Sequence, residues 1–252
     1  MISTESLSKK YGENFVLKDV STSLPTNKII AFIGCNGAGK STMLNLISRL
    51  IPPSEGCAFV DSKRISDWDT RELAKRLTML GQSLNAEARI TVGELVAFGR
   101  FPHSGGRMTE QDELAVSQAL AITGIEDLRG RFIDELSGGQ RQMAYIAMCI
   151  AQDTKYILLD EPLNNLDMAR SVKIMKLLRR LVREKSKTIL IVIHDINFVS
   201  FYADYIAAFK DGKLKYQGAC EAIMNSEILS DIYGMDIAVE DYKGRKICVY
   251  YQ

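Results

Sequence analysis

Three short, mostly apolar runs punctuate the chain, at 28–33, 155–160 and 188–193. Each has the length of a strand and lacks polar–apolar alternation, the pattern of a parallel strand covered on both faces. Between them the period changes. Segments 39–48, 138–152 and 169–185 space apolar residues three and four apart, the last at Val172, Met175, Leu178 and Val182. Each predicts a helix with one buried stripe. Strand and helix in turn predict an α/β fold with a mostly parallel sheet.

Elsewhere the alternation breaks. FVLKDVSTSLP, near the start, alternates polar and apolar residues like an antiparallel strand, predicting an N-terminal antiparallel β subdomain. Asp211-Gly212, inside AFKDGKLKYQG, reads as a hairpin turn. The middle, about 87–152, carries helical patterns in TVGELVAFG and TEQDELAVSQALAITG. The second opens on Thr109 with Asp112 three residues on, close to a capping box. An α-helical subdomain inserted into a single domain spanning 1–252 is therefore expected.

Composition narrows the function. Lys plus Arg is 32 and Asp plus Glu 31, a net charge of +1. That balance argues against nucleic-acid binding that rests on a basic surface. No apolar stretch reaches the roughly 18 residues of a membrane span, and MISTESLSKKYGEN lacks the apolar run of a signal peptide. The five cysteines, at 35, 57, 149, 220 and 248, show no metal-ligand spacing. A dispersed, odd set suits a reducing compartment, so a cytoplasmic protein is expected.

The chemistry begins at Gly34. GCNGAGKST, comprising Gly34, Cys35, Asn36, Gly37, Ala38, Gly39, Lys40, Ser41 and Thr42, matches G-x-x-x-x-G-K-[ST] between an apolar strand and a helix. Its backbone N–H groups suit a β-phosphate, Lys40 the β- and γ-phosphates, and Ser41 a Mg²⁺ ion. A P-loop NTPase core binding a nucleoside triphosphate follows. YILLDEP ends an apolar strand on two acids: Asp160, expected to face the Mg²⁺, and Glu161, placed to orient and deprotonate the attacking water. His194, one of two histidines, ends a further apolar strand in IVIHDINF, where it can report the γ-phosphate; a structural histidine at a strand end is the other reading, and the neighbouring strands favour the first. Gln82, after LTMLG, can offer its amide to Mg²⁺ or water. DELSGGQRQMAY puts a serine and two glycines ahead of a helix, a start that collects free N–H groups for an anion. Ser137 as an ordinary N-cap explains the same residues.

Taken in order, Tyr11, the loop at 34–42, Gln82, LSGGQ at 136–140, ILLDE at 157–161, NNLD at 164–167 and His194 resemble the ATP-binding cassette ATPases over essentially the whole chain. The resemblance implies that Ser137, Gly138, Gly139 and Gln140 bind the γ-phosphate held by a second copy, so that two ATP molecules are sandwiched in a two-fold dimer. It implies that Tyr11 stacks on adenine and that Asp167 links the two sites. ITVGELVAFGRFPHSG, DEPLNNLDM and HDINFVSFYAD resemble the importers of ferric siderophores, haem and cobalamin. IYGMDIAVEDYKGRKICVYY resembles the tail of the ferric-siderophore ATPases and reads as a strand pair. The expected protein is thus the ATPase subunit of a ferric-siderophore importer, using ATP and Mg²⁺ at the cytoplasmic face of the membrane. Its expected partners are a second copy, a permease and, indirectly, an extracytoplasmic siderophore-binding protein. A haem or cobalamin importer and a soluble non-transport cassette ATPase are the alternatives. Two residues depart from the family pattern: Cys35 and Gly81 stand where proline is usual. Among N–H groups at a helix start, the Cys35 thiol is expected to favour thiolate; a merely tolerated small residue is the other reading.

Overall fold

Strand β1 (Ile2–Tyr11) turns at Gly12 into β2 (Asn14–Leu24), and β1 also pairs antiparallel with β4 (Glu55–Val60). The computed structural model, which describes residues 1–82 and 89–251, divides the chain into Met1–Trp68 with Thr188–Gln252, and Asp69–Lys187.

In the first of these units, β5 (Lys63–Arg64) completes a sheet of order β2-β1-β4-β5. The alternation read from residues 15–25 is therefore an antiparallel strand. Beside this sheet, β3 (Ile29–Ile33) pairs in parallel with both β8 (Thr188–Val192) and β9 (Tyr205–Lys210). Every residue of β3 and β8 is buried, which explains why neither alternates. Across β3 and β9, Phe32 and Phe209 pack with ring centroids 5.2 Å apart. Asp211 and Gly212, at φ 50° and 74°, turn β9 into β10 (Lys213–Ala219), the left-handed pair that a tight hairpin requires.

Helix α1 (Lys40–Ile47) leaves the loop after β3, and α8 (Ile196–Tyr202) follows β8. The unit closes with α9 (Cys220–Ile223), α10 (Ser226–Tyr233) and a hairpin of β11 (Ala238–Tyr242) and β12 (Arg245–Val249), the strand pair expected of the tail.

The second unit opens with α2 (Thr70–Ala74), and its β6 (Leu77–Leu80) lies parallel to β7 (Tyr156–Asp160). Its helices are α3 (Val92–Phe98), α4 (Phe101–Ser104), α5 (Glu110–Thr123), α6 (Gly138–Ala151) and α7 (Met168–Lys185). The start expected for a helical subdomain, near 87, lies outside the described residues. Capping boxes open both α3, at Thr91 and Glu94, and α5, at Thr109 and Asp112. Within GRFPHSG, α4 forms a single helical turn, and Arg71 donates to the carbonyls of Pro102 and His103, each at 2.7 Å.

Asp112 does more than cap. Its carboxylate is buried and receives the Arg100 Nε at 2.9 Å, while Arg100 Nη1 donates to the Ala151 carbonyl. The Thr109 hydroxyl, seconded by Arg100 and opposed by burial, holds the Asp112 carboxyl down at about 2. Asp112→Ala should destabilise the protein by about 3 kcal/mol, because it leaves a half-buried guanidinium without its carboxylate as well as removing a cap. The stability gained from the low value is complete above the ordinary 3.8 of an unfolded carboxyl and is lost as pH falls toward about 2. The gap in melting temperature between wild type and Asp112→Ala should therefore be full at neutral pH and narrow across that acid window.

Candidate functional site

The register of β3 against β8 pairs Phe32 with Val192, so the chain leaves both strands at one end of the sheet, into Gly34 and into His194. Gly34 sits at φ 136° with the Phe209 carbonyl so close that a Cβ would lie 2.1 Å from its oxygen. Gly39, at φ 99°, would likewise bring a Cβ to 2.9 Å from the Val16 carbonyl. These two positions admit only glycine. Between them Cys35, Asn36 and Gly37 are exposed, whereas Ala38 and Lys40 are buried, Lys40 to 4%. Lys40 Nζ donates to the carbonyls of Gly34 and Cys35, at 2.7 and 2.8 Å, so the ammonium is held inside the loop it closes. Ser41 and Thr42 are half-buried at the start of α1. Tyr11, at the end of β1, is 56% exposed, with Lys9 Nζ 5.2 Å from its ring centroid. His194 is exposed and adjoins Asp195, which caps α8 through Asn197 and Phe198.

Cys35 is not where its sequence context suggested. Its Sγ lies 3.6 and 3.7 Å from the carbonyl oxygens of Ile232 and Tyr233, in the last turn of α10. The thiol meets acceptors, not the backbone donors expected at a helix start. The reason is tertiary: a helix end nearly two hundred residues away supplies its neighbours.

In the second unit, Leu80 pairs with Leu159, so Gly81-Gln82 and Asp160-Glu161 leave parallel strands side by side. Asp160 is 5% exposed at the end of β7. Glu161 takes φ 52°, a conformation that costs about 1–3 kcal/mol for a non-glycine residue and persists where the surroundings fix it. They do fix it: Gln82 Nε2 donates to Glu161 Oε2 at 2.7 Å, Asn164 Nδ2 donates to the same oxygen, and Asn164 N donates to the Glu161 carbonyl. Asn164, the first residue of NNLD, has no role readable from that motif alone; its position three residues past Glu161 is the signal that places it in the same turn. A cavity of about 270 Å³ runs past Gln82, Glu161, Asn164, Arg141, Tyr145 and Gly138.

Ser137 caps α6 in a capping box with Gln140, its Oγ accepting from Gln140 N at 3.4 Å. A hydroxyl that accepts in this way still has a proton to donate, so the capping role and an anion-binding role are compatible. At Gly139 a Cβ would lie 2.4 Å from the Arg170 side chain, so a larger residue there would have to displace that arginine. Asp167 caps α7 through Arg170 N and pairs with the Arg170 guanidinium at 3.3 Å. Ser41 in the first unit, and Gln82 and Asp160 in the second, each carry an oxygen of the hard kind that Mg²⁺ prefers, an ion that takes few protein groups alongside phosphates and water.

A family model for ABC transporters matches residues 17–164. The chain belongs to the ABC transporter family, as its ATP-binding cassette. It is 49% identical to the petrobactin import ATP-binding protein YclP of Bacillus subtilis (strain 168), over 100% of both chains. To the ferric enterobactin transport ATP-binding protein FepC of Escherichia coli (strain K12) it is 40% identical, over 94% of this chain and 88% of the other. Among solved structures, the dimeric ATP-binding cassette MJ0796 bound to ADP and phosphate matches with a TM-score of 0.78 at 31% identity, over 87% of this chain and 99% of that one. Among the described residues, no helix is long and apolar enough to cross a membrane.

Proposed function

We propose that this chain is the ATP-hydrolysing subunit of a ferric-siderophore importer. The observation that carries the catalytic part is Glu161, fixed by Gln82 and Asn164 at the end of the strand that bears Asp160. Lys40 and the N–H groups of the phosphate loop hold the phosphates, with Asn36, Ala38 and Thr42 shaping the loop, and Tyr11 supports the adenine. Ser41, Asp160 and Gln82 would be the groups to hold Mg²⁺, which when bound would neutralise charge on the phosphates. Glu161 orients a water molecule and takes its proton as the water oxygen bonds to the γ-phosphorus and the bond to the ADP oxygen breaks, leaving ADP and phosphate. His194 contacts the γ-phosphate. Ser137, Gly138, Gly139 and Gln140 reach that phosphate from a second copy, and Asp167 lies at the junction of the copies.

The cargo reading rests on the relatives, whose names specify petrobactin import and ferric enterobactin transport. On this reading the subunit sits at the cytoplasmic face of the membrane, beneath a permease fed by an extracytoplasmic siderophore-binding protein. The surface that fits the permease is an apolar cavity of about 400 Å³ lined by Ala97, Phe98, Phe101 and Met108, with Phe101 61% exposed. Phe101→Asp should weaken docking by about 2 kcal/mol or more, reducing uptake while ATP hydrolysis by the free subunit continues. The deciding experiment measures uptake of radioactive iron as ferric siderophore, with labelled haem and cobalamin beside it, in cells whose only copy carries Glu161→Gln. Loss of siderophore iron alone supports the reading. Loss of haem or cobalamin uptake instead reassigns the cargo, and normal uptake of all three points to a soluble cassette ATPase.

A further inference from the structure

The C-terminal segment makes contacts within the first unit at both of its own ends, through α10 with the loop after β3 and through β12 with the helix after β8. At one end, α10 finishes at Gly234, φ 67°, and leaves last-turn carbonyls that helical geometry cannot satisfy internally. Those of Ile232 and Tyr233 face the Cys35 thiol. Cys35 and Gly34 in turn offer their own carbonyls to Lys40 Nζ. The Tyr233 hydroxyl is buried and finds no hydrogen-bond partner among the described residues. Burial pushes it well above the ordinary phenol range, against a smaller opposite pull from the Gly34 backbone. Asp231 anchors the helix: Lys210 and Lys215 reach its carboxylate at 3.0 and 2.6 Å, Lys210 being the residue after the Phe209 whose carbonyl crowds Gly34.

At the other end, β12 docks on the helix that begins beside His194. Asn197 behaves like a strand residue, donating Nδ2 to the Cys248 carbonyl at 3.2 Å and accepting Cys248 N at 2.8 Å. Ser200 Oγ donates to the Lys246 carbonyl at 2.6 Å. The two ends are joined within the tail, because Ser226 and Ser230 of α10 accept the backbone N–H groups of Val239 and Ile237.

We propose that the tail from α10 through β12 is a positioning element of the ATPase site, with Tyr233 and Asn197 as its positioning residues. The last turn of α10 sets the Gly34–Cys35 peptides that hold Lys40, and β12 sets the helix that follows His194. The inference rests on the proposed ATPase function, and assigns a task to a tail that a nucleotide-binding loop does not by itself require.

The test compares KM for ATP, kcat and thermal unfolding in the full-length protein. Tyr233→Ala should raise KM about tenfold and change kcat by less than about twofold, because it loosens ground-state phosphate binding. Tyr233→Phe should restore KM, since the ring and not the unpartnered hydroxyl does the packing. Asn197→Ala should do the reverse, lowering kcat about fivefold at unchanged KM. If Tyr233→Ala does not yield folded protein, Cys35→Ala, at an exposed residue on the other side of the same contact, should raise KM about threefold. Folded Tyr233→Ala or Cys35→Ala with wild-type KM overturns the role of α10, and Asn197→Ala with wild-type kcat overturns that of β12. Lys40→Ala, assayed for binding of a fluorescent ATP analogue, separates the two levels. Retained binding there removes the ATP-site reading itself; lost binding beside wild-type KM in the tail variants removes only the tail's role.

Discussion

Glu161→Gln should reduce ATP turnover by about 10²–10⁴-fold, the range for removal of a general base, while ATP binding persists. The geometry explains why binding and folding should survive. Gln82 Nε2 and Asn164 Nδ2 both donate to one carboxylate oxygen, and a glutamine amide turned to present its oxygen accepts both. The new NH₂ group then points where the water would lose its proton and has no basic lone pair to take it. Unhydrolysed γ-phosphate should accumulate, and with it a dimer that persists in ATP and dissociates when ATP is removed. Gel filtration with and without ATP, together with phosphate release, reads both effects. Full turnover in the variant would remove Glu161 from its role.

The second large effect concerns where the γ-phosphate finds Ser137. If the serine–glycine helix start serves the phosphate loop of a second copy, Lys40→Ala and Ser137→Arg are each inactive as homodimers but complement one another when mixed. In the mixed dimer one site joins the two damaged elements and the other joins the two intact ones. With random pairing half the dimers are mixed, so about a quarter of the sites, and of the wild-type rate, should return. A site built within one chain gives no recovery at any ratio. The substitution at Ser137 also removes the cap of α6, a loss of about 1 kcal/mol that the melting temperature should show in both arrangements.

The resemblance to cassette ATPases was readable because its residues lie in short segments whose local chemistry is demanding. A glycine at φ 136° or 99°, a capping box, and a left-handed pair in a hairpin each leave a signature within a few residues. The parallel strands were readable for a related reason: complete burial removes polar positions from the sequence itself. Their predicted bounds differ from the observed ones by a residue at most, as caps and end residues were counted in.

What the sequence by itself determined, then, is the set of elements and the chemical groups at their ends, because propensity, capping and burial periodicity act over a single helix or strand. The tertiary structure decided which groups meet. Gln82 reaches Glu161 across 79 residues of chain because the register of β6 and β7 brings their ends level. Arg100 becomes the partner of Asp112 only once the helices have packed. Cys35 turned from the expected donors to the carbonyls of α10, 197 and 198 residues away, and Asn197 became a docking point for β12. Such pairings depend on strand register and on the seating of distant segments, and no local pattern carries that information.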